Sequence, residues 1–295
     1  MRFKATLNNP TGLHKLAQTL EKLGPVCFAV FSKTELRFIT HQNNPVDIQS
    51  WTVMNPSCMF SEYRLQSLQV NNEVYFAFNL ANLLLITKDL VDCTRITVGL
   101  KDTNGNIILS FKWTSESFKG SKDLLNKELP IQLVTGDKIQ HIRDPVTMEA
   151  PDTYILLPDV NVLKVTAERF KTLNGFLKLS ANMKGEFKVE VQSPFAMCSS
   201  HYENLQHPEL VGHDLSTREP ESFSSVCVKS DDFVHFLNCA YLEPDNIICS
   251  ITHDRQLTFL IYLRIDTYQN EDAPLRSLNP QQCRITVQLP LYIDN

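Results

Sequence analysis

Residues 31–38 read FSKTELRF, and residues 182–189, 151 positions further along the chain, read NMKGEFKV. In both stretches alternating apolar residues flank a short polar turn, which is typical of a β-hairpin. A predicted helix precedes each hairpin, at residues 11–23 and 159–173, and a predicted strand precedes each helix. The same order of elements twice in one chain indicates an internal duplication.

A second set of predicted elements is repeated in the same way. Strand, helix and hairpin follow one another across residues 73–113 and again across residues 225–265. The turn at residues 102–105, Asp-Thr-Asn-Gly, is a strong hairpin signal. We therefore predict an α+β fold of two similar domains, residues 1–135 and 152–295, each with two helices packed on antiparallel β-sheet.

Between these domains the sequence is polar, contains proline and lacks periodicity, so residues 136–151 are predicted to form an interdomain connecting loop. Similar composition predicts surface loops at residues 114–128, 206–222 and 266–282.

The bulk composition excludes several classes of protein. The 295 residues carry a formal net charge of −5, which argues against a protein that coats nucleic acid through its overall charge. The opening MRFKATLNNP lacks the apolar core of a secretory signal, and the densest apolar stretch, residues 80–86, is far short of a membrane span. The 8 cysteines form no C-x-x-C pair, which favours free thiols. We expect an intracellular protein with no membrane partner.

Short motifs along nearly the whole chain occur together in a fixed order. They are Met1-Arg2-Phe3-Lys4-Ala5, Leu129-Pro130-Ile131-Gln132-Leu133-Val134, Pro151-Asp152-x-Tyr154-Ile155-x-Leu157-Pro158, Leu177-x-Leu179-x-Ala181-Asn182-Met183-x-Gly185-Glu186 and Cys198-x-x-His201-Tyr202-x-x-Leu205. The ordered set resembles the DNA sliding clamps, relatives of proliferating cell nuclear antigen. Within them it is most similar to the hydroxyurea-sensitivity subunit type of the nine-one-one checkpoint clamp.

The resemblance implies a DNA-clamp fold and a function without catalysis. It implies a ring of this chain with two other clamp subunits, placed around double-stranded DNA by a clamp loader. Such a ring holds DNA without reading its sequence and recruits checkpoint and repair proteins. The resemblance also implies a location in the nucleus.

A catalytic or metal-binding motif would contradict that expectation. The chain contains no G-x-S-x-G, no Walker loop, no G-x-G-x-x-G and no H-E-x-x-H. Cys198, His201, His207 and His213 have the ligand types of a zinc site. Positions three apart on one strand point to opposite faces, however, which favours a packed thiol and surface histidines. We expect no catalytic residue, no metal and no cofactor.

The predicted helices carry basic side chains opposite their apolar stripes. The clamp resemblance implies that these faces line the central hole, where lysine and arginine attract phosphates without a base code. A solvated helix face would explain any single helix equally well. The candidate DNA-facing residues are Lys15, Gln18, Lys22, Lys88, Lys164, Arg169 and Lys171.

Two of the four helices depart from this pattern. The second is predicted to place Leu85 and Ile86 on its outer side, with Lys88 set against Asp89. The fourth carries Asp231 and Asp232 and no lysine or arginine before Leu242. Their contact with DNA is therefore left open.

Subunits of a ring must present unpaired sheet edges to their neighbours. We predict that residues 106–113 and 176–182 are these edge strands, with Ile108, Phe111, Leu177 and Leu179 at the interfaces. Two alternatives stay open at this point: a homotrimeric replicative processivity clamp, and a β-rich adaptor with no DNA role. An enzyme ranks behind both, because no polar constellation converges.

Overall fold

A computed structural model gives the fold of the chain. It describes residues 1–40, 47–67, 69, 71–103, 105–116, 122–136, 139, 142, 150–208, 219–263 and 283–292. The chain divides into two compact units, of which unit 1 contains the first two helices and unit 2 the last two. None of the helices in the described ranges is both long enough and apolar enough to span a membrane.

The described residues of unit 1 form two helices and ten strands. In chain order they are β1 (Arg2–Leu7), α1 (Pro10–Leu23), β2 (Val26–Phe31), β3 (Leu36–Thr40), β4 (Gln49–Met54), β5 (Phe60–Gln66), β6 (Val74–Asn79), α2 (Leu80–Lys88), β7 (Ile96–Thr103), β8 (Asn106–Glu116), β9 (Lys122–Pro130) and β10 (Gln132–Leu133). One sheet has the order β5-β1-β7-β8-β9, and the other places β10, β6, β2, β3 and β4 side by side. Helices α1 and α2 pack against each other.

In the part of unit 2 that the structure describes there are two helices and eight strands. They are β11 (Thr153–Leu156), α3 (Val160–Lys171), β12 (Phe176–Ala181), β13 (Phe187–Gln192), β14 (Met197–Tyr202), β15 (Ser224–Lys229), α4 (Ser230–Leu237), β16 (Asn246–Thr252), β17 (Gln256–Tyr262) and β18 (Cys283–Leu289). One sheet has the order β14-β13-β12-β15, and in the other β18, β17, β16 and β11 are neighbours. A 3-10 turn, Asn238–Leu242, follows α4, and α3 packs against α4.

Both units join their strands by the same scheme. The strand before the first helix pairs antiparallel with the strand after the second helix, as β1 with β7 and β11 with β16. The strand after the first helix pairs antiparallel with the strand before the second, as β2 with β6 and β12 with β15. The predicted α+β duplication is therefore confirmed. The limits 1–135 and 152–295 stay predictions, and most of the predicted connecting loop, residues 136–151, lies outside the described residues.

The repeated hairpins explain why the two opening stretches of sequence share their pattern. In unit 2 the Asn182 carboxamide oxygen accepts hydrogen bonds from the backbone N–H groups of Lys184 and Glu186, both at 3.0 Å. Gly185 has a φ of +91°, and a Cβ at that position would lie 2.6 Å from the Leu205 carbonyl oxygen. Only glycine satisfies both constraints, so it closes this turn.

The loop predicted at residues 114–128 is wrong for 114–116 and 122–128, and residues 117–121 lie outside the described residues. Strand β8 continues to Glu116, and β9 begins at Lys122 and pairs with β8 over its whole length. The stretch is polar and does not alternate, but β8 supplies its hydrogen-bond partners, so pairing overrides composition. Of the loop predicted at 206–222, the described residues 206–208 and 219–222 form no helix or strand, whereas 266–282 lies outside the described residues.

Helix α2 corrects one further side-chain prediction. Leu85 is 66% exposed, as predicted, but Ile86 is buried with Leu83 and Leu80. Ile86 follows Leu83 by three positions, which places both on the same face of the helix. The outer side of α2 therefore carries one apolar residue of the predicted pair.

Candidate nucleic-acid interface

Helix α1 is positioned by its ends and by its apolar stripe. The Asn9 carboxamide oxygen accepts a hydrogen bond from the Gly12 N–H at 2.7 Å, and Pro10 occupies the first turn, where its missing N–H costs nothing. The stripe of Leu13, Leu16 and Leu20 is buried. This leaves the predicted DNA-facing residues of α1 on the other side.

The three predicted residues of α1 share that outer face. Lys15 and Gln18 are half-buried, and Lys22 is exposed. The Lys22 ammonium lies 3.0 Å from the Glu21 carboxylate, an exposed contact of a kind that contributes little to stability. Lys15 and Lys22 are seven positions apart, about two turns of helix, so both lie on one side of α1, where their charges can attract phosphates.

Helix α2 is tied to α1 through a histidine. His14 Nδ1 lies 3.0 Å from the Thr87 hydroxyl, and Thr87 is buried. Burial, and then the positive charge of Lys88, lower the pKa of His14. A neutral imidazole therefore sits between the helices, while Lys88 itself is exposed and makes no salt bridge with any described residue.

Sequence reasoning missed a cation at this end of α2. Lys127 of β9 forms an ion pair with Asp89, and its ammonium lies 3.5 Å from the Leu85 carbonyl oxygen. The hydrogen bond from Lys127 lowers the pKa of Asp89. Lys127 therefore neutralises the carboxylate that adjoins Lys88. Lys127 falls in the stretch predicted to be a loop, and no sequence signal linked it to α2.

Helix α3 holds its predicted cations differently. The Lys164 ammonium donates to the Asn238 carboxamide oxygen at 3.0 Å and lies 4.9 Å from the centre of the Tyr241 ring. Lys171 forms an ion pair with Asp231 of α4. Arg169 is exposed and makes no salt bridge with any residue in the described ranges. Two of the three cations of α3 are thus bound to the α4 segment of the same chain.

The first turn of α4 contains two aspartates whose pKa values are shifted in opposite directions. A hydrogen bond from Lys171 lowers the pKa of Asp231. Burial raises the pKa of Asp232, and nearby Lys229 only partly opposes that effect. The outer face of α3 also exposes Val162 and Val165. In the helix pair of unit 2, Asp231 therefore neutralises Lys171, whereas Lys164 keeps its charge beside neutral partners. Whether any of these residues meets DNA stays a prediction.

The cysteines and histidines considered for zinc do not assemble among the described residues. Cys198 and His201 both lie on β14, with only His201 exposed. His207 lies elsewhere, with its Nδ1 2.7 Å from the Tyr154 carbonyl oxygen. His213 lies outside the described residues, and the described part of the chain contains no cluster of ligands suited to a metal ion.

The 8 cysteines are free thiols in the structure. Burial raises the pKa of Cys239 to about 12, so this thiol stays protonated and packs as a small apolar side chain.

The predicted edge strands are wrong. Strand β8 lies between β7 and β9, and β12 lies between β13 and β15. Ile108, Phe111, Leu177 and Leu179 are all buried in their units. Apolar alternation indicates a strand with one buried face, and interior strands have that face as often as edges do. The edge on that side of the sheet is β9 in unit 1 and β14 in unit 2.

The observed edges expose apolar side chains. Strand β9 ends the five-stranded sheet of unit 1, and its Leu124 is 72% exposed. Strand β14 ends the four-stranded sheet of unit 2, and its Met197 is 68% exposed. Large apolar side chains on unpaired strands are typical of surfaces that pair with another chain.

Solved structures share this fold over the whole chain. Proliferating cellular nuclear antigen from Entamoeba histolytica matches with a TM-score of 0.69 at 12% identity, covering 99% of each chain. The antigen of A. fulgidus, bound to the C-terminal region of FEN-1, matches with a TM-score of 0.68, also at 12% identity and 99% coverage of each chain. The fold is thus that of a DNA sliding clamp.

Sequence comparison narrows the class to one family. The family model described as Hus1-like protein matches residues 1–276, and the chain belongs to this family. It is 27% identical over 259 residues to checkpoint protein hus1 of Schizosaccharomyces pombe, covering 84% of this chain and 88% of that protein. It is 22% identical over 268 residues to checkpoint protein HUS1 of Homo sapiens, covering 88% and 94%.

Proposed function

We propose that this chain is a non-catalytic subunit of a heterotrimeric checkpoint clamp that encircles double-stranded DNA after DNA damage. The observation that carries this proposal is a clamp fold over the full chain in a member of the Hus1-like family. The similar proteins of fission yeast and human are named checkpoint proteins. In this role the clamp recruits checkpoint signalling and repair proteins.

Ring formation is supported by two sheet edges, one in each unit, that carry exposed apolar side chains. Each unit ends one sheet in a strand whose outer hydrogen-bonding groups have no partner strand among the described residues, β9 in unit 1 and β14 in unit 2. A ring needs two binding edges on every subunit, so that each chain meets two neighbours. We therefore assign β9 and β14, in place of β8 and β12, to the contacts with the two other clamp subunits.

Family membership decides between the alternatives. The replicative clamps share the fold at 12% identity, whereas the Hus1-like model matches 276 residues of this chain. The chain is therefore a checkpoint clamp subunit and not a homotrimeric replicative clamp. A β-rich adaptor without a DNA role does not account for a complete clamp fold.

Contact with DNA in this proposal is weak and independent of sequence. The chain carries a net charge of −5, and Glu21 and Asp231 form ion pairs with its candidate phosphate-binding residues Lys22 and Lys171. Lysine attracts the phosphate backbone without distinguishing bases. Retention on DNA then depends on the closed ring and not on affinity. A closed ring cannot thread onto long DNA unaided, so a clamp loader is required, and the site of action is the nucleus.

Reconstitution with the two other clamp subunits of the same organism tests the proposal. The three chains should form a 1:1:1 complex by analytical ultracentrifugation, whereas this chain alone should sediment as a monomer. Loaded onto a nicked circular plasmid by the clamp loader with ATP, the complex should remain bound. Cutting the plasmid once should release it, because a ring slides off a free end. A homotrimer, or equal retention on cut and uncut plasmid, contradicts the proposal.

The β9 edge can be tested by one exposed residue. Leu124→Glu places a charge on the edge strand β9 without disturbing the core. It should abolish binding to one neighbour while leaving the other neighbour bound. Val162→Glu makes the same chemical change at an exposed apolar residue of α3 and serves as the control. Pairwise binding measured by mass photometry should be normal for the control. Normal pairwise binding for Leu124→Glu would remove β9 from the interface.

A further inference from the structure

The edge strand β14 lacks the usual protection against pairing. Exposed edges of natural sheets carry lysine, other charges or proline, which discourage a second chain from adding a strand. Strand β9 has charged residues and ends at Pro130, and its Lys127 and Glu128 are bound within the chain to Asp89 and Lys101. The six residues of β14 read MCSSHY and include no lysine, arginine, aspartate, glutamate or proline.

The turn that leads into β14 holds a phenylalanine away from the protein. The Ser193 N–H donates to the Ala196 carbonyl oxygen at 2.8 Å, and the Ala196 N–H donates to the Ser193 hydroxyl at 3.0 Å. Pro194 restricts the backbone further. Between these residues Phe195 is 98% exposed, the most of any large apolar residue in the described ranges. An aromatic ring that stays fully in water does not stabilise the fold, because its apolar surface is not buried.

Met197 continues this apolar surface onto the outward face of β14. Alternate residues of the strand, Met197, Ser199 and His201, are exposed, whereas Tyr202 points inward and its hydroxyl lies 3.3 Å from that of Thr166. Phe195 and Met197 thus form an apolar corner at one end of an otherwise polar edge. Aromatic residues lose little side-chain entropy on binding, and methionine adapts to irregular pockets, so such pairs anchor interfaces.

We infer that Phe195 and Met197 anchor the β14 edge to the neighbouring clamp subunit. In this arrangement main-chain hydrogen bonds along β14 align the two edges, and the corner inserts into an apolar recess beside the partner's edge strand. The inference rests on the proposed function, since it assumes a second clamp chain at this edge. Phe195 and Met197 adjoin the unprotected edge of β14, so the chain that pairs with this edge also contacts them. An anchor at the end of a strand fixes the register of that pairing.

The test uses the full chain and its two partner subunits, with pairwise dissociation constants measured by mass photometry. The double variant Phe195→Ser with Met197→Thr should weaken binding to one partner by about 10- to 100-fold, the usual effect of losing an interface anchor. Binding to the other partner, at β9, should be unchanged. Leu85→Ser is the matched control, since Leu85 is 66% exposed and Met197 68%. Unchanged thermal unfolding of both variants will show that the fold is intact.

The outcomes separate this inference from the proposed function. If the wild-type chain assembles and the double variant binds both partners normally, the anchor is overturned and the clamp assignment stands. An equal loss in the Leu85→Ser control, or self-association of the isolated chain that Phe195→Ser abolishes, also overturns it. If the wild-type chain binds neither subunit, the proposed function fails, and the inference fails with it.

Discussion

The helix pair of unit 1 and the helix pair of unit 2 have the same backbone plan and different charge distributions. On α1 and α2, Lys88 is exposed without a salt bridge to a described residue, and Lys22 meets only its sequence neighbour Glu21. On α3, Lys164 binds the neutral Asn238 and Lys171 binds Asp231, so the neighbouring helical segment holds both ammonium groups and neutralises one of them. The two helix pairs therefore share their backbone plan and differ in the partners of their outer lysines.

A duplicated fold constrains the buried faces far more than the outer faces. The pairing of β1 with β7 and of β11 with β16 requires only matched strands and apolar stripes. Charges on the solvent side cost little to change, because exposed ion pairs contribute about 0–1 kcal/mol. The two helix pairs can therefore share a backbone plan while their outer lysines have different partners.

The largest expected effect is on the free energy of unfolding, and it concerns how each helix pair packs on the core of its unit. Helix α4 inserts Phe236, whose ring stacks on Phe259 at 3.9 Å, whereas α2 relies on aliphatic residues such as Leu83. Phe236→Ala should lower the free energy of unfolding by about 4 kcal/mol and Leu83→Ala by about 3 kcal/mol, because the larger deletion leaves the larger cavity. Urea denaturation followed by circular dichroism measures both values.

The exposed Leu85→Ala is the control for that experiment and should change the free energy of unfolding by less than about 0.5 kcal/mol. A cost for Leu83→Ala above that for Phe236→Ala would show that the aromatic stack is not the stronger anchor.

The fold could be predicted from the sequence because its evidence is local. Alternation, helical spacing and turn residues lie within a few positions of each other, as in the hairpins at residues 31–38 and 182–189. The order of strands in a sheet is not local. The hairpins predict one neighbour of β8 and of β12, but nothing within these strands reveals that β9 or β15 pairs on the other side, so the predicted edges were wrong. Strand β9 lacks alternation, and only its pairing with β8 makes it a strand.

The candidate site was harder to predict than the fold for the same reason. The basic residues of α1 and α3 are visible in the sequence, but the positive charge that each can offer to DNA depends on partners far along the chain. Lys164 meets Asn238 and Lys171 meets Asp231 only after the helices pack. Lys127 reaches Asp89 in the same way. A helical wheel shows which residues are exposed and not which are already paired.

A smaller effect, on DNA binding, compares one lysine from each unit. Removing a phosphate contact should reduce the slope of log affinity against log salt by about 0.9. Lys88→Ala should show this reduction in the assembled ring, whereas Lys171→Ala should show less, because Asp231 already cancels its charge. Equilibrium binding of the assembled ring to a short linear duplex over a range of salt concentrations measures the slopes, because a ring on open-ended DNA is held by affinity alone.

Asp231→Asn sharpens the same comparison. It releases Lys171, so it should steepen the salt dependence, and the gain should disappear when Lys171 is alanine. Equal slopes for Lys88→Ala and Lys171→Ala would remove the difference between the two helix pairs.

The smallest expected effect concerns the two adjacent aspartates of α4. Asp231 has a lowered pKa in the folded protein, so its ionised form stabilises the fold above the ordinary pKa of about 3.9, and that contribution is lost as the pH falls through the lowered value. Since both partners of its ion pair are exposed, the contribution should stay below about 1 kcal/mol.

Asp232 should behave in the opposite way. Burial raises its pKa in the folded protein, so ionisation at neutral pH costs stability, and stability returns as the pH falls through the raised value. At pH 7, Asp232→Asn should therefore raise the unfolding temperature, and Asp231→Asn should lower it slightly. Both differences should shrink near pH 3, where carboxyl groups are largely protonated in either state. Thermal unfolding of the two variants at pH 7 and pH 3 measures this, and shifts of the same sign at pH 7 would contradict the assignment of opposite electrostatic states.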